Sequence, residues 1–406
     1  MNCGLLGENL QHSYSPQIHN LIADYPYSLL QVKPDALSDF FDSFDFTGIN
    51  VTIPYKKAVL PYCHKLSDQA KKLGSVNTIV RLKDGTLYGH NTDYFGFQYL
   101  MKRQNLDIKQ KTALVLGSGG ASVTVAAVLE ELGANVVVIS RTGENNYTNI
   151  SRHKDAALIV NTTPVGMYPE NGIRLVNLSV FHSLECVVDI IYNPSRTKLL
   201  LDAESRGIKT ENGLPMLVAQ AVGSAKLFTN QDIPDSTIET ICKILAKKTE
   251  NIILIGMPGC GKTTVGKMLA EQLGREFIDA DKYLEASQSM TVPKILEQYG
   301  EPVFRKMESR VLQELGKRSG LVISTGGGCV TIPENYDQLH QNGQIIWLKR
   351  DLGLLPTEGR PLSQTNSLQD IYSKREPLYQ KFADIIISND DEIANTVNKI
   401  IQEVYR

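Results

Sequence analysis

Extremes of charge and hydrophobicity are missing from this chain. Its 406 residues carry a formal net charge of −2, with no long lysine and arginine block and no acidic tail. We therefore expect neither a nucleic-acid partner nor a membrane-surface partner. The most apolar region, 112–139, is interrupted by glycines and by Glu130 and Glu131, which excludes it as a membrane span.

Signals for export, disulfide formation and repetition are also missing. Residues 1–13 lack the positive start and apolar core of a secretory signal. We therefore expect a cytoplasmic protein with reduced thiols, since no C-x-x-C pair occurs among Cys3, Cys63, Cys186, Cys242, Cys260 and Cys329. Without repeats, the length predicts two or three domains of roughly 150 residues each.

The most specific motif present is the phosphate-binding pattern GMPGCGKT at 256–263. It follows the apolar run 252–255 and precedes a helical pattern, a context that a chance match would seldom share. In such loops backbone N–H groups surround phosphate oxygens, while Lys262 would contact the β- and γ-phosphates and Thr263 would bind Mg²⁺. We predict that ATP is bound by Gly256, Gly259, Cys260, Gly261, Lys262, Thr263 and Thr264.

A second nucleotide-binding pattern begins at Thr112. A strand at 112–117 leads into GSGGAS, followed by a helical stretch to Gly133 and a strand at 135–139. This order is typical of a βαβ dinucleotide-binding unit, although Ser122 stands where the third glycine would be. Further strands are expected at 156–160 and 186–190.

The end of the strand at 135–139 predicts which dinucleotide binds. An NAD site usually has an acidic residue there, whereas this chain has Ser140, Arg141 and Thr142. A guanidinium with hydroxyl donors would hold a 2′-phosphate, so we predict NADP(H) rather than NAD(H). The alternative is a tight packing turn with Arg141 as a solvated surface charge.

From Met1 to about Lys247 the chain resembles shikimate dehydrogenase. The matching segments are 12–16, 50–56, 76–78, 89–93, 117–122, 140–142, 161–167 and 213–220. The resemblance implies that NADP(H) contacts Gly117, Gly119, Gly120, Ala121, Ser140, Arg141, Thr142, Asn161 and Gly213. It implies that 3-dehydroshikimate or shikimate contacts Ser13, Ser15, Asn50, Thr52, Asn77, Asp93 and Gln220.

The resemblance also implies that Lys56 is the proton donor, with Asp93 as its charge partner. Hydride delivery to a ketone builds negative charge on oxygen, so a donor must lie within hydrogen-bond reach. A surface ion pair is the alternative for either residue alone. The chain departs from the family between Arg141 and Asn161, where a helix, a strand and a second basic residue, here Asn145, are missing.

From Asn251 to Arg406 the chain resembles shikimate kinase, a P-loop kinase of the nucleoside-monophosphate-kinase type. Besides the loop, the matching segments are 277–281, 304–308, 324–328, 359–362 and 375–379. The resemblance implies that Asp279 holds Mg²⁺ with Thr263, that Asp281 orients or deprotonates the accepting hydroxyl, and that Arg360 closes over the phosphates. The shikimate contacts would be Asp281, Arg305, Gly326, Gly327, Gly328 and Arg375.

The lid of the kinase stretch departs from that family. Between Leu348 and Arg360 the family has a longer helix with an arginine that packs on adenine. Here Gly353 and Pro356 disfavour a long helix. We therefore expect a short lid with a weak grip on adenine.

Together these observations predict an α/β architecture: a substrate domain at 1–100 completed by a helix at about 224–248, a shortened Rossmann domain at 101–223, and a parallel-sheet kinase domain at 251–406. The predicted catalytic residues are Lys56, Asp93, Lys262, Asp281 and Arg360. The predicted function is NADPH-dependent reduction of 3-dehydroshikimate followed by ATP-dependent phosphorylation of shikimate.

Two alternatives remain open for the function. One half could be retained as a non-catalytic binding module, or the chain could be an NAD-dependent quinate dehydrogenase fused to a kinase, which Arg141 disfavours. The sequence is compatible with an oligomer as well as a monomer.

Overall fold

The computed structural model describes residues 2–10, 13–355 and 368–405. Contacts divide the chain into two compact units. The first unit comprises Met1–Val165, Leu175–Tyr192 and Asp202–Ile244, and the second comprises Gly166–Arg174, Asn193–Leu201 and Leu245–Arg406. Across the described ranges, no helix is both long and apolar enough to cross a membrane.

The amino-terminal part of the first unit is a mixed sheet flanked by helices. Its strands are β1 (Cys3–Gly7), β2 (Tyr27–Gln31), β3 (Gly48–Val51), β4 (Lys65–Leu66), β5 (Thr78–Arg81) and β6 (Leu87–His90). Its helices are α1 (Ser15–Ile22), α2 (Leu37–Ser43), α3 (Asp68–Leu73) and α4 (Thr92–Gln104). The strand order is β2-β1-β3-β5-β6-β4, with β5 antiparallel to both β3 and β6.

A second sheet of the first unit is parallel throughout. Its strands are β7 (Thr112–Leu116), β8 (Asn135–Ile139), β9 (Leu158–Asn161), β10 (Cys186–Asp189) and β11 (Lys209–Glu211), in the order β11-β10-β9-β7-β8. Helix α5 (Gly120–Glu131) joins β7 to β8, which confirms the βαβ pattern. Between β8 and β9 the regular structure is one 3₁₀ turn, Ile150–His153, so the shortening expected there is present.

The last helices before the kinase stretch differ from the prediction. After α6 (Lys198–Glu204), the chain forms α7 (Leu214–Thr229) and α8 (Ser236–Thr249). The range at about 224–248, predicted as one helix, is divided between α7 and α8, because Asn230 ends α7 with a left-handed φ of 52°. Helix α7 packs against α4 and also contacts strands β3 and β5.

The second unit contains a five-stranded parallel sheet. Its strands are β12 (Asn251–Ile255), β13 (Glu276–Asp279), β14 (Leu321–Ser324), β15 (Gly343–Lys349) and β16 (Ile385–Ser388), in the order β13-β14-β12-β15-β16. Around them lie α9 (Lys262–Leu273), α10 (Ala280–Gln288), α11 (Val292–Tyr299), α12 (Glu301–Lys317), α13 (Glu334–His340), α14 (Leu368–Phe382) and α15 (Ile393–Val404). Strand β12 is fully buried, as its uninterrupted apolar run predicts.

The second unit is discontinuous in sequence. Its short segments 166–174 and 193–201 come from the range predicted for the Rossmann domain. The Ser195 backbone N–H donates to Asn342 Oδ1 at 2.8 Å, and the Arg196 N–H donates to the Gln341 carbonyl at 2.8 Å. Contacts in the structure thus assign these segments to a different unit from their sequence neighbours.

Candidate active sites

A cleft of about 290 Å³ in the first unit gathers residues that are widely separated along the chain, from Leu5 to Gln220. Its volume suits a small polar molecule. All seven residues predicted to bind the substrate line it, together with Lys56, Ala121 and Gly213. Tyr192 also lines it and was not predicted. His12, in the matching segment 12–16, lies outside the described residues.

Lys56 and Asp93 form an ion pair at the wall of this cleft. Lys56 Nζ lies 2.6 Å from Asp93 Oδ2, and the two side chains are 32% and 18% exposed. Asp93 stands in the first turn of α4, where the helix dipole favours a negative charge. The pair therefore has the contact predicted for a proton donor and its charge partner, and enough exposure to meet a small substrate.

A buried hydrogen-bond network fixes Asn50 at the floor of the cleft. Tyr27 donates to Asn50 Oδ1 at 2.7 Å, while Asn50 Nδ2 donates to Ser224 Oγ at 2.7 Å and to Thr78 Oγ1 at 3.1 Å. Asn50 lies opposite Thr78 in the β3–β5 register, which brings these two together. The sequence prediction missed Tyr27, Thr78 and Ser224 as supports of this side chain.

Asn77 and the two serines are held by local hydrogen bonds. Asn77 Oδ1 accepts from the backbone N–H of Thr92 at 2.7 Å, so it fixes the start of α4. Ser13 Oγ accepts from the backbone N–H of Ser15 at 3.2 Å, where α1 begins. Gln220 donates to its own helix at the Leu217 carbonyl, 2.9 Å away. These polar groups face a shared cleft from separate elements.

The predicted dinucleotide turn has the geometry of a phosphate cradle. Gly117 has φ +111°, and a β-carbon there would lie 2.8 Å from Thr162 Oγ1, so glycine is required. A β-carbon at Gly119 or Gly120 would meet no atom within 4 Å, which leaves open space beside the backbone. Helix α5 begins at Gly120 without a side-chain cap, so its first N–H groups are available to an anion.

The segment after β8 places the predicted 2′-phosphate contacts at the surface. Arg141 and Thr142 are exposed, while Ser140 Oγ accepts from the Gly143 N–H at 2.8 Å. Asn145, at the position of the missing basic residue, lies 3.1 Å from His153 Nε2. Sequence reasoning did not single out this histidine.

Asn161 and Gly213, two other residues predicted to contact the cofactor, are buried against neighbouring residues. Asn161 is fully buried, and its Nδ2 donates to both carboxylate oxygens of Asp189 at 3.0 and 3.1 Å. Its side chain therefore orders the end of the sheet. A β-carbon at Gly213 would lie 1.9 Å from the Ile190 carbonyl oxygen, so the close approach of these two segments excludes any larger residue.

The second unit has a larger cleft of about 530 Å³ at the carboxyl ends of its strands. The loop after β12 lines it through Gly259, Gly261, Lys262, Thr263 and Thr264. The predicted contacts Gly256 and Cys260 do not line this cleft. Cys260 is fully buried, and Gly256, at φ +144°, turns the chain beside the Leu348 carbonyl.

Lys262 is buried within the loop, with 7% of its surface exposed. Its Nζ donates to the carbonyls of Gly256 and Met257, each at 3.0 Å. These carbonyls satisfy the ammonium group without neutralising its charge. These hydrogen bonds go to neutral acceptors, so the ammonium group can pair with an arriving phosphate.

Thr263 and Asp279 offer oxygen ligands of the kind that Mg²⁺ prefers. The Thr263 hydroxyl donates to Asp279 Oδ2 at 2.9 Å, and both groups line the cleft. Hydroxyl and carboxylate oxygens suit a hard cation that retains several waters. The predicted pair therefore fits a magnesium ion shared with substrate phosphates.

Arg305 lies deep in the cleft between two glutamates of its own helix. Its Nη1 is 2.7 Å from Glu308 Oε2 and its Nη2 is 3.0 Å from Glu301 Oε1. Glu308 Oε1 is buried without a hydrogen-bond partner in the described part of the chain. Burial raises the pKa of Glu308. The sequence prediction gave Glu308 no role.

The three glycines after β14 are needed for close approach to these charged groups. A β-carbon at Gly328 would lie 2.1 Å from Arg305 Nη2, and one at Gly326 would lie 2.4 Å from Glu308 Oε1. Arg375 donates to the Gly327 carbonyl at 3.2 Å. The predicted contacts of the accepting substrate therefore meet in one cleft.

Asp281 stands in the first turn of α10 at the same cleft. Burial raises the pKa of its carboxyl, and the nearby charge of Asp279 adds to the increase. A raised pKa brings a carboxylate closer to the range useful for proton transfer. The predicted catalytic residue Arg360 lies outside the described residues.

Both clefts lie in stretches that match known families. A family model described as the shikimate dehydrogenase substrate binding domain matches residues 5–79, and one described as shikimate kinase matches residues 258–405. The shikimate dehydrogenase (NADP(+)) of Clostridium perfringens strain SM101 is 37% identical over 260 residues, covering 59% of this chain and 96% of that relative.

Solved structures resemble the same stretch. A chorismate mutase/shikimate 5-dehydrogenase fusion protein from Clostridium acetobutylicum has a TM-score of 0.58 at 36% identity, covering 61% of this chain and 97% of that one. Shikimate 5-dehydrogenase from Thermus thermophilus, in complex with NADP(H) and shikimate, has a TM-score of 0.55 at 30% identity, covering 60% and 99%.

Proposed function

Because this chain belongs to the shikimate dehydrogenase family and is a bifunctional enzyme of the shikimate pathway, we propose that its two clefts catalyse successive reactions. The first would reduce 3-dehydroshikimate to shikimate, and the second would transfer a phosphoryl group from ATP to shikimate. The observation that carries this proposal is that each cleft contains its own charged reacting residues: Lys56 with Asp93, and Lys262 with Asp281.

In the first cleft, Lys56 donates a proton to the carbonyl oxygen that becomes a hydroxyl. NADPH, when bound, supplies the hydride. Asp93 holds the ammonium at 2.6 Å and stabilises its charge, while Asn50 orients a substrate hydroxyl from a network that is itself fixed by Tyr27 and Ser224. The protein's own hydrogen bonds fix these groups, which lowers the cost of organising the transition state.

In the second cleft, Asp281 accepts the proton of the attacking hydroxyl. Arg305 holds the carboxylate of shikimate, since a planar guanidinium matches two oxygens. Thr263 and Asp279 would hold Mg²⁺, which neutralises charge on the phosphates when bound. Lys262 stabilises charge on the transferred phosphoryl group, because phosphoryl transfer depends mainly on positioning and electrostatics.

Two alternatives predict different results. If one half binds ligand without turnover, the purified protein would use only one of NADPH and ATP. If the first half oxidises quinate with NAD, the protein would prefer NADH to NADPH, which the exposed Arg141 at the end of β8 opposes.

A direct assay distinguishes these possibilities. The full chain is given 3-dehydroshikimate with NADPH or NADH, and separately shikimate with Mg²⁺ and ATP, and the products are identified by mass spectrometry. We expect shikimate in the first assay, with NADPH favoured, and shikimate 3-phosphate in the second. Failure of either product to form would refute the corresponding half of the proposal.

A further inference from the structure

The strand order of the second unit assigns one side of the phosphate-binding loop to each substrate. Strand β12, which carries the loop, has β14 and β13 on one side and β15 and β16 on the other. Asp281 and the three glycines 326–328 follow β13 and β14, and Arg375, which follows β15, reaches across to the Gly327 carbonyl, so the contacts inferred for the accepting substrate converge on that side. Because all five strands are parallel, their carboxyl ends share one edge. The nucleotide therefore extends towards β15 and β16.

Arg350 lies on this nucleotide side. It directly follows β15 and lines the second cleft. Its Nη1 is 3.9 Å from the position that a β-carbon would take at Gly261 of the loop. Its guanidinium is thus adjacent to the backbone that cradles phosphates.

The guanidinium of Arg350 has no direct partner within the described ranges of the chain. Its side chain forms no hydrogen bond or ion pair there, and its Nε is buried without an acceptor. Buried donors are nearly always satisfied, so an unmet donor facing a cleft indicates an acceptor that arrives with a ligand.

Hydrogen bonds connect the loops next to Arg350. Asn389, after β16, donates to the Cys260 carbonyl of the loop at 2.7 Å, and Asp390 accepts from the Asp351 N–H at 2.8 Å. Hydrogen bonds from Ser388 and Asp351 lower the pKa of Asp390, and the positive charge of Arg350 contributes. Asp390 is therefore a charged neighbour, although the two side chains form no ion pair.

We propose that Arg350 binds the phosphate chain of the nucleotide in the second cleft. The proposal rests on the kinase function proposed above. A planar guanidinium donates two parallel hydrogen bonds to phosphate oxygens, which a lysine cannot reproduce. The phosphates would then be held from the loop by Lys262 and from β15 by Arg350.

Isothermal titration of the full chain with ADP and with GDP, each with Mg²⁺, tests the proposal. Arg350→Ala should raise both dissociation constants by about tenfold or more, equivalent to at least one strong charged contact. Arg350→Lys should recover part of the loss, because it restores charge without the planar fork. The matched control is Lys349→Ala, since Lys349 pairs with Glu376 and does not line the cleft.

The outcomes separate this inference from the proposed function. NADPH-dependent reduction by Arg350→Ala should equal that of the wild type, which shows that the substitution leaves the first unit intact. Dissociation constants within twofold of wild type for both nucleotides would overturn the inference while leaving the kinase function intact. A loss confined to ADP would overturn the phosphate assignment in favour of a base contact. A wild-type protein that binds neither nucleotide would refute the inference and the kinase function together.

Discussion

The two clefts use the same side chain in opposite electrostatic settings. Lys56 is partly exposed and pairs with a carboxylate at 2.6 Å, whereas Lys262 is buried and contacts only carbonyl oxygens and the Cys260 sulfur among the described residues. A lysine with a carboxylate partner is held in one position, where it can meet a bound ketone. A lysine whose hydrogen bonds go to neutral acceptors can pair with an arriving phosphate.

Replacing Lys56 should have the largest effect, because it removes the proposed proton donor. Lys56→Ala should lower kcat for reduction by roughly 10²–10⁴-fold, the usual contribution of general acid catalysis, with a smaller change in KM. Ser15→Ala is the matched binding-site control and should mainly raise KM. Steady-state kinetics with NADPH measures both. A kcat within a few-fold of wild type would contradict the role of Lys56.

Replacing Lys262 should remove the second activity, phosphorylation, and leave the first. Lys262→Met should lower phosphorylation by roughly 10²–10³-fold, as expected when one preorganised charge contact to the transition state is removed. Reduction of 3-dehydroshikimate by the same protein serves as the internal control and should be unchanged. Equal loss of both activities would indicate misfolding or dependence between the sites.

Replacing Asp281 should change both the rate of phosphorylation and the stability of the folded protein. Its pKa is raised in the folded protein, mainly by burial. Over the window from the ordinary aspartate pKa up to this raised value, the folded state binds more protons than the unfolded state, so stability falls as the pH rises. The Asp281→Asn protein should not lose stability in this way, so it should melt at a higher temperature than wild type at neutral pH. Its rate of phosphorylation should fall by roughly 10²-fold.

Thermal melts of both proteins across pH check the Asp281 prediction. The difference in melting temperature should shrink as the pH falls below the ordinary aspartate range, where wild-type Asp281 is protonated in both states. A variant that is less stable than wild type at neutral pH would show that the Asp281 charge is fully compensated in the folded protein.

Changing Arg141 should have the smallest effect, because its guanidinium is exposed and screened by solvent. Arg141→Asp should weaken use of NADPH by about tenfold or more while affecting NADH far less, since the new carboxylate repels a 2′-phosphate. Arg152→Asp, another exposed arginine of the same segment, is the matched control. Equal losses with both dinucleotides would contradict the 2′-phosphate contact.

Local features of the chain were predictable from sequence. The strand at 135–139 has the predicted bounds, and the glycine loop lies between a buried strand and α9, because apolar runs and glycines act over a few residues. Features that depend on distant contacts were not. Ser224 supports Asn50 across 174 positions of sequence, and the break at Asn230 uses a left-handed conformation that a helical pattern does not reveal.

The most direct test of the account supplies the full chain with 3-dehydroshikimate, NADPH, Mg²⁺ and ATP, and follows NADPH consumption and product mass together. We predict shikimate 3-phosphate in the complete mixture, shikimate alone when ATP is omitted, and shikimate 3-phosphate from Lys56→Ala only when shikimate is added. Consumption of NADPH without a phosphorylated product, or phosphorylation of added shikimate without any reduction, would contradict the claim that one chain carries both reactions.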